Sequence, residues 1–332
     1  MSTVLEALNH ALASCLSASE DVYFLGEDIL EPYGGAFKVA RGLSTSFPER
    51  VISTPVSEAG IVGVGVGMAL RGLRPVVEIM FGDFVTLAAD QLINHAAKLR
   101  WMSADQVSVP LVVRTPMGGR RGYGPTHSQT LEKHFLGTPG LRVVAVSALD
   151  DPGKLLQQAV LEDDDPVLFV EHKLLYARPV ISLNDQVEFH VTRQDGRYPT
   201  YHLELAGSPS PVLTLAAYGY MAELARETIQ RLAYEHEIFC ELVVPTQLSP
   251  FELRFLETHV SRTRRLLTLE EGSRPLGWGA EVVARLHESA IPALEARRLA
   301  AWDMPVPAAA PLEEAVLPGV DDIQQAVKEM VS

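Results

Sequence analysis

The strongest constraint on this chain is a series of short, largely apolar runs separated by stretches of helical period. Arg74–Met80 (RPVVEIM), Val109–Arg114, Leu141–Ser147 and Val167–Glu171 read as strands apolar on both faces. Thr86–Met102 and Pro152–Leu161 read as helices between them. Such strands must be covered on both sides, which implies a mainly parallel sheet wrapped by helices. The alternation starts at the N-terminus, with a helix over Val4–Ala18 and a strand over Val22–Leu25. It weakens over Arg178–Ser210, where prolines and polar residues surround two β-type pieces, Val187–Val191 and Tyr201–Leu205. This stretch reads as a linker with a small hairpin. From Val212 the alternation resumes, with strands at Val212–Ala217, Ile238–Val244, Leu266–Leu269 and Arg298–Trp302. Helices are expected at Met221–Glu235, Pro250–Val260, Trp278–His287 and Asp321–Met330. The expectation is an α/β chain: a parallel-sheet domain over residues 1–180, a linker over 181–210 and a smaller α/β domain over 211–332.

Bulk properties narrow the function classes. The chain has 332 residues, 47% of them hydrophobic, enough for two ordinary α/β domains. Its formal net charge of −14, from 42 acidic and 28 basic side chains, argues against general nucleic-acid binding. No apolar run is long enough to span a bilayer, and the N-terminus reads as an amphipathic helix. Two cysteines far apart, Cys15 and Cys240, give no disulfide framework and point to a reducing, cytoplasmic setting.

The stretch Val51–Leu70 (VISTPVSEAGIVGVGVGMAL) is the most unusual locally. A short strand precedes Pro55, Ser57 is a good N-cap, and Glu58 falls in the first helical turn. Gly60, Gly63, Gly65 and Gly67 then weaken the helix, a cost explained if something approaches the backbone closely. On its own the stretch also reads as a capped helix packed on a sheet, with Glu58 complementing the helix dipole.

SEAG at Ser57–Gly60, IMFGDF at Ile79–Phe84 and HSQ at His127–Gln129 occur in order, with YGGAFKV at Tyr33–Val39 and RPVVE at Arg74–Glu78. Together they resemble the beta subunit of thiamine-diphosphate-dependent 2-oxo acid dehydrogenases. The likeness runs from about Phe24 to Tyr176 and resumes more weakly from Val212, at LSPFE and LEEG. It implies a pyrimidine-binding domain followed by a transketolase C-terminal-type domain. Glu58 matches the cofactor-activating glutamate, whose carboxyl shares a proton with N1′ of the aminopyrimidine. Met80 and Phe84 match residues that pack that ring. His127 matches the active-site histidine that handles protons at the 2-oxo group and during acyl transfer. His95 and His134 read as bystanders. Ala159–Pro166 matches a loop that holds a structural potassium ion; the carbonyls of Leu111, Ala159 and Val160 with Glu162 and Asp164 are the implied ligands.

The family grips the diphosphate through a divalent metal held by a motif starting GDG, which this chain lacks. The resemblance therefore implies that magnesium and diphosphate are held by an alpha subunit, with two alpha and two beta chains. It further implies decarboxylation of a pyruvate-like 2-oxo acid and acyl transfer to a lipoyl acyltransferase component. Arg120, Arg121 and Tyr123 stand where small residues are usual, and residues 182–205 depart from the pattern. These departures leave open a split transketolase-like carboligase. A non-catalytic partner of the same fold is disfavoured by Glu58, Phe84 and His127 occurring together.

Overall fold

The computed structural model describes residues 2–183, 188–289 and 291–332. Its first unit contains α1 (Val4–Ala18), β1 (Val22–Gly26), α2 (Leu43–Ser46), β2 (Val51–Ser53), α3 (Glu58–Ala69) and β3 (Arg74–Glu78). It continues through α4 (Ala97–Met102), β4 (Val112–Met117), β5 (Arg142–Ala145), α5 (Pro152–Leu161) and β6 (Val167–His172). The second unit contains β7 (Phe189–Gln194), β8 (Thr200–Leu205), β9 (Leu213–Ala217), α6 (Gly219–His236), β10 (Cys240–Pro245) and β11 (Gln247–Ser249). Then follow α7 (Arg254–Thr263), β12 (Arg265–Ser273), α8 (Trp278–Glu288), β13 (Glu295–Ala301), α9 (Ala310–Val316) and α10 (Val320–Val331).

The first sheet has the order β11-β5-β6-β4-β3-β1-β2, parallel except for β11. β3, β4, β5 and β6 are almost wholly buried, as strands apolar on both faces require. The second sheet has the order β13-β12-β9-β10-β8-β7, its first four strands parallel. β8 and β7 continue it as an antiparallel hairpin. Residues 181–210 thus carry two strands of the second sheet. Their pattern is weak because β7 is an edge strand with mostly exposed side chains. The expected strand residue Val187 lies outside the described residues.

Helix ends follow local chemistry. Thr3 and Glu6 form a reciprocal capping box on α1, and Asp151 caps α5 through the Lys154 N–H. The single helix expected over Thr86–Met102 is instead three windings: a 3₁₀ segment Gly82–Ala88, a π segment Gln91–Ala96, and α4. Thr86 Oγ1 donates to the Asp83 carbonyl at 3.0 Å inside the tight first winding. β4 runs to Met117, beyond the expected Arg114, because Pro116 and Met117 pair with Glu171 and His172. β11, too short for a periodic signal, ties the two units by pairing Gln247 with Val144.

The glycines of α3 have separate roles. A Cβ on Gly65 would lie 3.0 Å from Leu111 Cδ1 and 3.1 Å from a Val77 methyl, so this glycine sets how closely α3 lies on the sheet. A Cβ on exposed Gly67 would meet nothing within 4 Å. Gly65→Leu is therefore expected to destabilise the isolated chain by about 1–3 kcal/mol through overpacking. Gly67→Ala should instead stabilise it by about 0.5–1 kcal/mol through helix propensity. Urea unfolding of both variants checks the pair, and equal effects would contradict this packing of α3.

Candidate active site

In a parallel sheet the loops after the strand C-termini open on one edge. β2 leads there into Ser57–Glu58, β3 into Met80–Phe84, β4 into the loop carrying His127, and β6 into Lys173.

Ser57 Oγ accepts the Gly60 N–H and starts α3, which leaves Glu58 in its first turn, 7% exposed. Glu27, at the end of β1, is equally buried. Burial raises its pKa and the Glu58 charge adds to the rise, while a bond from the Ser57 N–H works against them. Glu27 Oε1 has no hydrogen-bond partner among the described residues. A buried carboxylate pair with one orphaned oxygen fits a polar heteroaromatic group such as an aminopyrimidine.

The rings of Phe81 and Phe84 both meet the His127 imidazole edge-on, at 4.8 and 5.2 Å. Phe84 and His127 thus come together as expected, and Phe81 joins them. Met80 is half-buried just beyond β3. The Thr126 hydroxyl lies 3.0 Å from His127 Nδ1, and Nε2 has no partner among the described residues. His95 and His134 are exposed.

Asp83 brings two motifs together: its Oδ1 accepts the Gln129 N–H at 3.2 Å and the Gln129 side-chain amide at 2.9 Å. Lys173, 1% exposed, donates to the carbonyls of Gly118 and His127, each at 2.6 Å. Loss of water lowers its pKa to about 8; Asp83 and Glu271 oppose the shift, and Arg121 adds to it.

The second unit holds the same loop by its N–H groups. Glu271 accepts from Gly119 at 2.8 Å, and Glu313 accepts from Arg120 at 2.7 Å and Gly122 at 3.0 Å. The Arg120 side chain donates to Glu271 Oε2 at 3.1 Å and to the Pro318 carbonyl at 2.7 Å. Glu271 is also 3.1 Å from His172 Nε2; its pKa is held low because these partners outweigh its burial. Sequence reading missed Glu27, Phe81, Lys173, Glu271 and Glu313. Phe81 and Glu271 lie inside the motifs IMFGDF and LEEG, which mark their segments but not their roles.

Three of the implied potassium ligands, the carbonyls of Leu111 and Val160 and the Asp164 carboxylate, accept hydrogen bonds within the chain. Arg74 donates to the carbonyls of Val160 at 3.0 Å and Asp163 at 2.9 Å, and to Asp164 Oδ1 at 2.6 Å. The Leu111 carbonyl accepts the Val167 N–H at 2.8 Å, and Glu162 is exposed. The Arg74 guanidinium thus shares this loop with the carbonyls and carboxylate implied as potassium ligands.

Residues 1–179 match the family model "Transketolase, pyrimidine binding domain", and residues 206–323 match "Transketolase, C-terminal domain". The chain is 38% identical over 329 residues to the mitochondrial pyruvate dehydrogenase subunit beta-1 of Oryza sativa subsp. japonica, covering 98% of this chain and 86% of that one. It is 38% identical over 340 residues to the 2-oxoisovalerate dehydrogenase subunit beta of Pseudomonas aeruginosa, covering 99% and 95%. Among solved structures it resembles a split-gene transketolase in an inactive tetramer of four beta chains. That match has a TM-score of 0.75 at 19% identity, covers 99% of this chain and 98% of the other, and speaks to the fold alone.

The buried lysine makes a pH prediction. Its folded pKa of about 8 lies below the ordinary lysine value of 10.5, so the unfolded chain binds the extra proton between those values. This residue should therefore make stability rise with pH through that window. Denaturant midpoints measured from about pH 7 to about pH 10 should show the rise in the parent and lose it in Lys173→Met. Parallel profiles would contradict the burial of a charged Lys173.

Proposed function

We propose that this chain, which belongs to the family of beta subunits of thiamine-diphosphate-dependent 2-oxo acid dehydrogenases, supplies the pyrimidine half of such an active site. Completed by an alpha subunit, it decarboxylates a 2-oxo acid and passes the acyl group to a lipoyl carrier. Residues 1–180 hold the pyrimidine, and the second unit, from β7 onward, forms the C-terminal-type domain.

One observation carries this reading: Glu58 and Glu27 are buried together at the same sheet edge as His127 and its aromatic wall. Thiamine diphosphate supplies the carbanion chemistry when bound. Glu58 would hold the aminopyrimidine at N1′ and share a proton there. The orphaned oxygen of Glu27 would accept a further ring-side donor. Phe84 and Met80 would pack the ring and exclude water. His127, its Nδ1 engaged by Thr126, presents Nε2 for proton transfer at the substrate's 2-oxo oxygen and at the lipoyl sulfur.

The diphosphate and its magnesium fall to the alpha subunit, because this chain has no GDG motif. Two alpha and two beta chains would complete the enzyme, and a lipoyl acyltransferase would receive the acyl group. A structural potassium ion held by the carbonyls of Leu111, Ala159 and Val160 with Glu162 and Asp164 would sit beside the Arg74 guanidinium. Cys15 and Cys240 are free and buried, which supports a reducing, cytoplasmic setting, and no helix among the described residues is long and apolar enough to cross a membrane.

Glu58→Gln keeps the size and removes the shared acidic proton. With the alpha subunit present, hydrogen–deuterium exchange at the thiazolium C2 of bound cofactor should slow by about 10²–10⁴-fold. Unchanged exchange would return Glu58 to a helix-terminal charge.

A further inference from the structure

Two arginines stand side by side in the His127 loop, and the structure treats them differently. Arg120 is consumed by the fold, its guanidinium bound to Glu271 and the Pro318 carbonyl. Arg121 is exposed and has no hydrogen bond or ion pair among the described residues. Its guanidinium carbon rests 5.5 Å from the Tyr123 ring and 5.9 Å from the Phe37 ring. Those two rings flank Phe81, at 6.0 and 5.4 Å, and Phe81 in turn meets His127. Arg121 therefore lies on the same aromatic wall as the candidate catalytic histidine. It is close enough to Lys173 to contribute to the depression of that lysine's pKa. In a chain with a net charge of −14, an unpaired cation within about 6 Å of two aromatic rings is a prepared anion site.

The chemistry of decarboxylation limits which anion it serves. The scissile carboxylate leaves as neutral carbon dioxide, and its electron pair moves toward C2. A guanidinium clamped on that group would stabilise the ground state more than the transition state and slow the reaction. A carboxylate that persists through the step carries no such penalty. We propose that Arg121 is a specificity-determining residue that binds a second, distal carboxylate, making 2-oxo dicarboxylic acids the preferred substrates. This deepens the reading above and rests on it. Arg121 would form a bidentate pair with the distal carboxylate while His127 faces the 2-oxo group.

The test uses the complete enzyme, this chain with its alpha subunit, thiamine diphosphate and magnesium. Carbon dioxide release with an artificial electron acceptor is measured for 2-oxoglutarate, as the dicarboxylic probe, and for 2-oxobutyrate. The parent should prefer 2-oxoglutarate in kcat/KM. Arg121→Gln should lose about 10–10²-fold with 2-oxoglutarate, chiefly in KM, and change little with 2-oxobutyrate. Arg121→Lys should recover part of the loss. Good turnover of 2-oxobutyrate with no preference for 2-oxoglutarate, or an equal effect of Arg121→Gln on both, overturns the Arg121 assignment and leaves the proposed function standing. An equal effect that comes with weakened alpha-subunit association would assign Arg121 to a carboxylate of that subunit. Turnover of pyruvate or 2-oxoisovalerate but of neither probe overturns the Arg121 assignment alone, and turnover of none of the four by the cofactor-loaded enzyme overturns the functional reading and the assignment with it.

Discussion

The guanidinium of Arg114, in the middle of β4, is buried between Glu78 at the end of β3 and Glu171 near the end of β6, with Nε donating to Glu171 Oε1 at 2.8 Å. The Tyr176 hydroxyl donates to the same glutamate at 2.6 Å. Burial disfavours the arginine's charge, but the two carboxylates outweigh it and hold its pKa high; burial pushes Glu78 upward. Removing one partner from such a cluster typically costs about 3–5 kcal/mol, because it strands a buried charge. The strand ends that carry the candidate site are thereby locked in register. The loop Tyr33–Val39 sits directly on the cluster: a Cβ on Gly35, at positive φ, would come within 2.9 Å of Glu78 Oε1. That close approach lets Phe37 reach both Tyr176 and Phe81.

Above this base, the His127 loop is held from both sides by charge. Lys173 binds its carbonyls from the first unit, while Glu271 and Glu313 bind its N–H groups from the second. A loop whose backbone polar groups are met in this way loses little further entropy when a substrate arrives. The same arrangement explains why the second unit matters to a site built on the first sheet. Its acidic side chains reach into that loop, and β11 fixes the two sheets to each other.

Much of this was legible in the sequence where the signal is local and periodic. α1 and α5 have the expected bounds because capping residues mark their starts, and Glu58 stands in the first turn of α3 behind the Ser57 cap. Phe84 and His127 were placed by ordered motifs and do meet. The remainder depends on partners distant in sequence. Glu313 lies 191 residues from the Gly122 N–H it accepts, and no period encodes that pairing. Helical spacing over Thr86–Met102 concealed a change of winding, since 3₁₀, α and π turns share similar apolar recurrence over a few residues. Arg74 reads as the start of a strand, which it is, but its side chain reaches the last turn of α5, 86 residues away at Val160.

The central claim is that this chain carries one half of a cofactor site and depends on another chain for the other half. Calorimetric titration of the purified chain with thiamine diphosphate and magnesium tests it most directly. Little binding is expected from the chain alone, with tight, metal-dependent binding once an alpha subunit is added. Tight, metal-dependent binding by this chain alone would contradict the account.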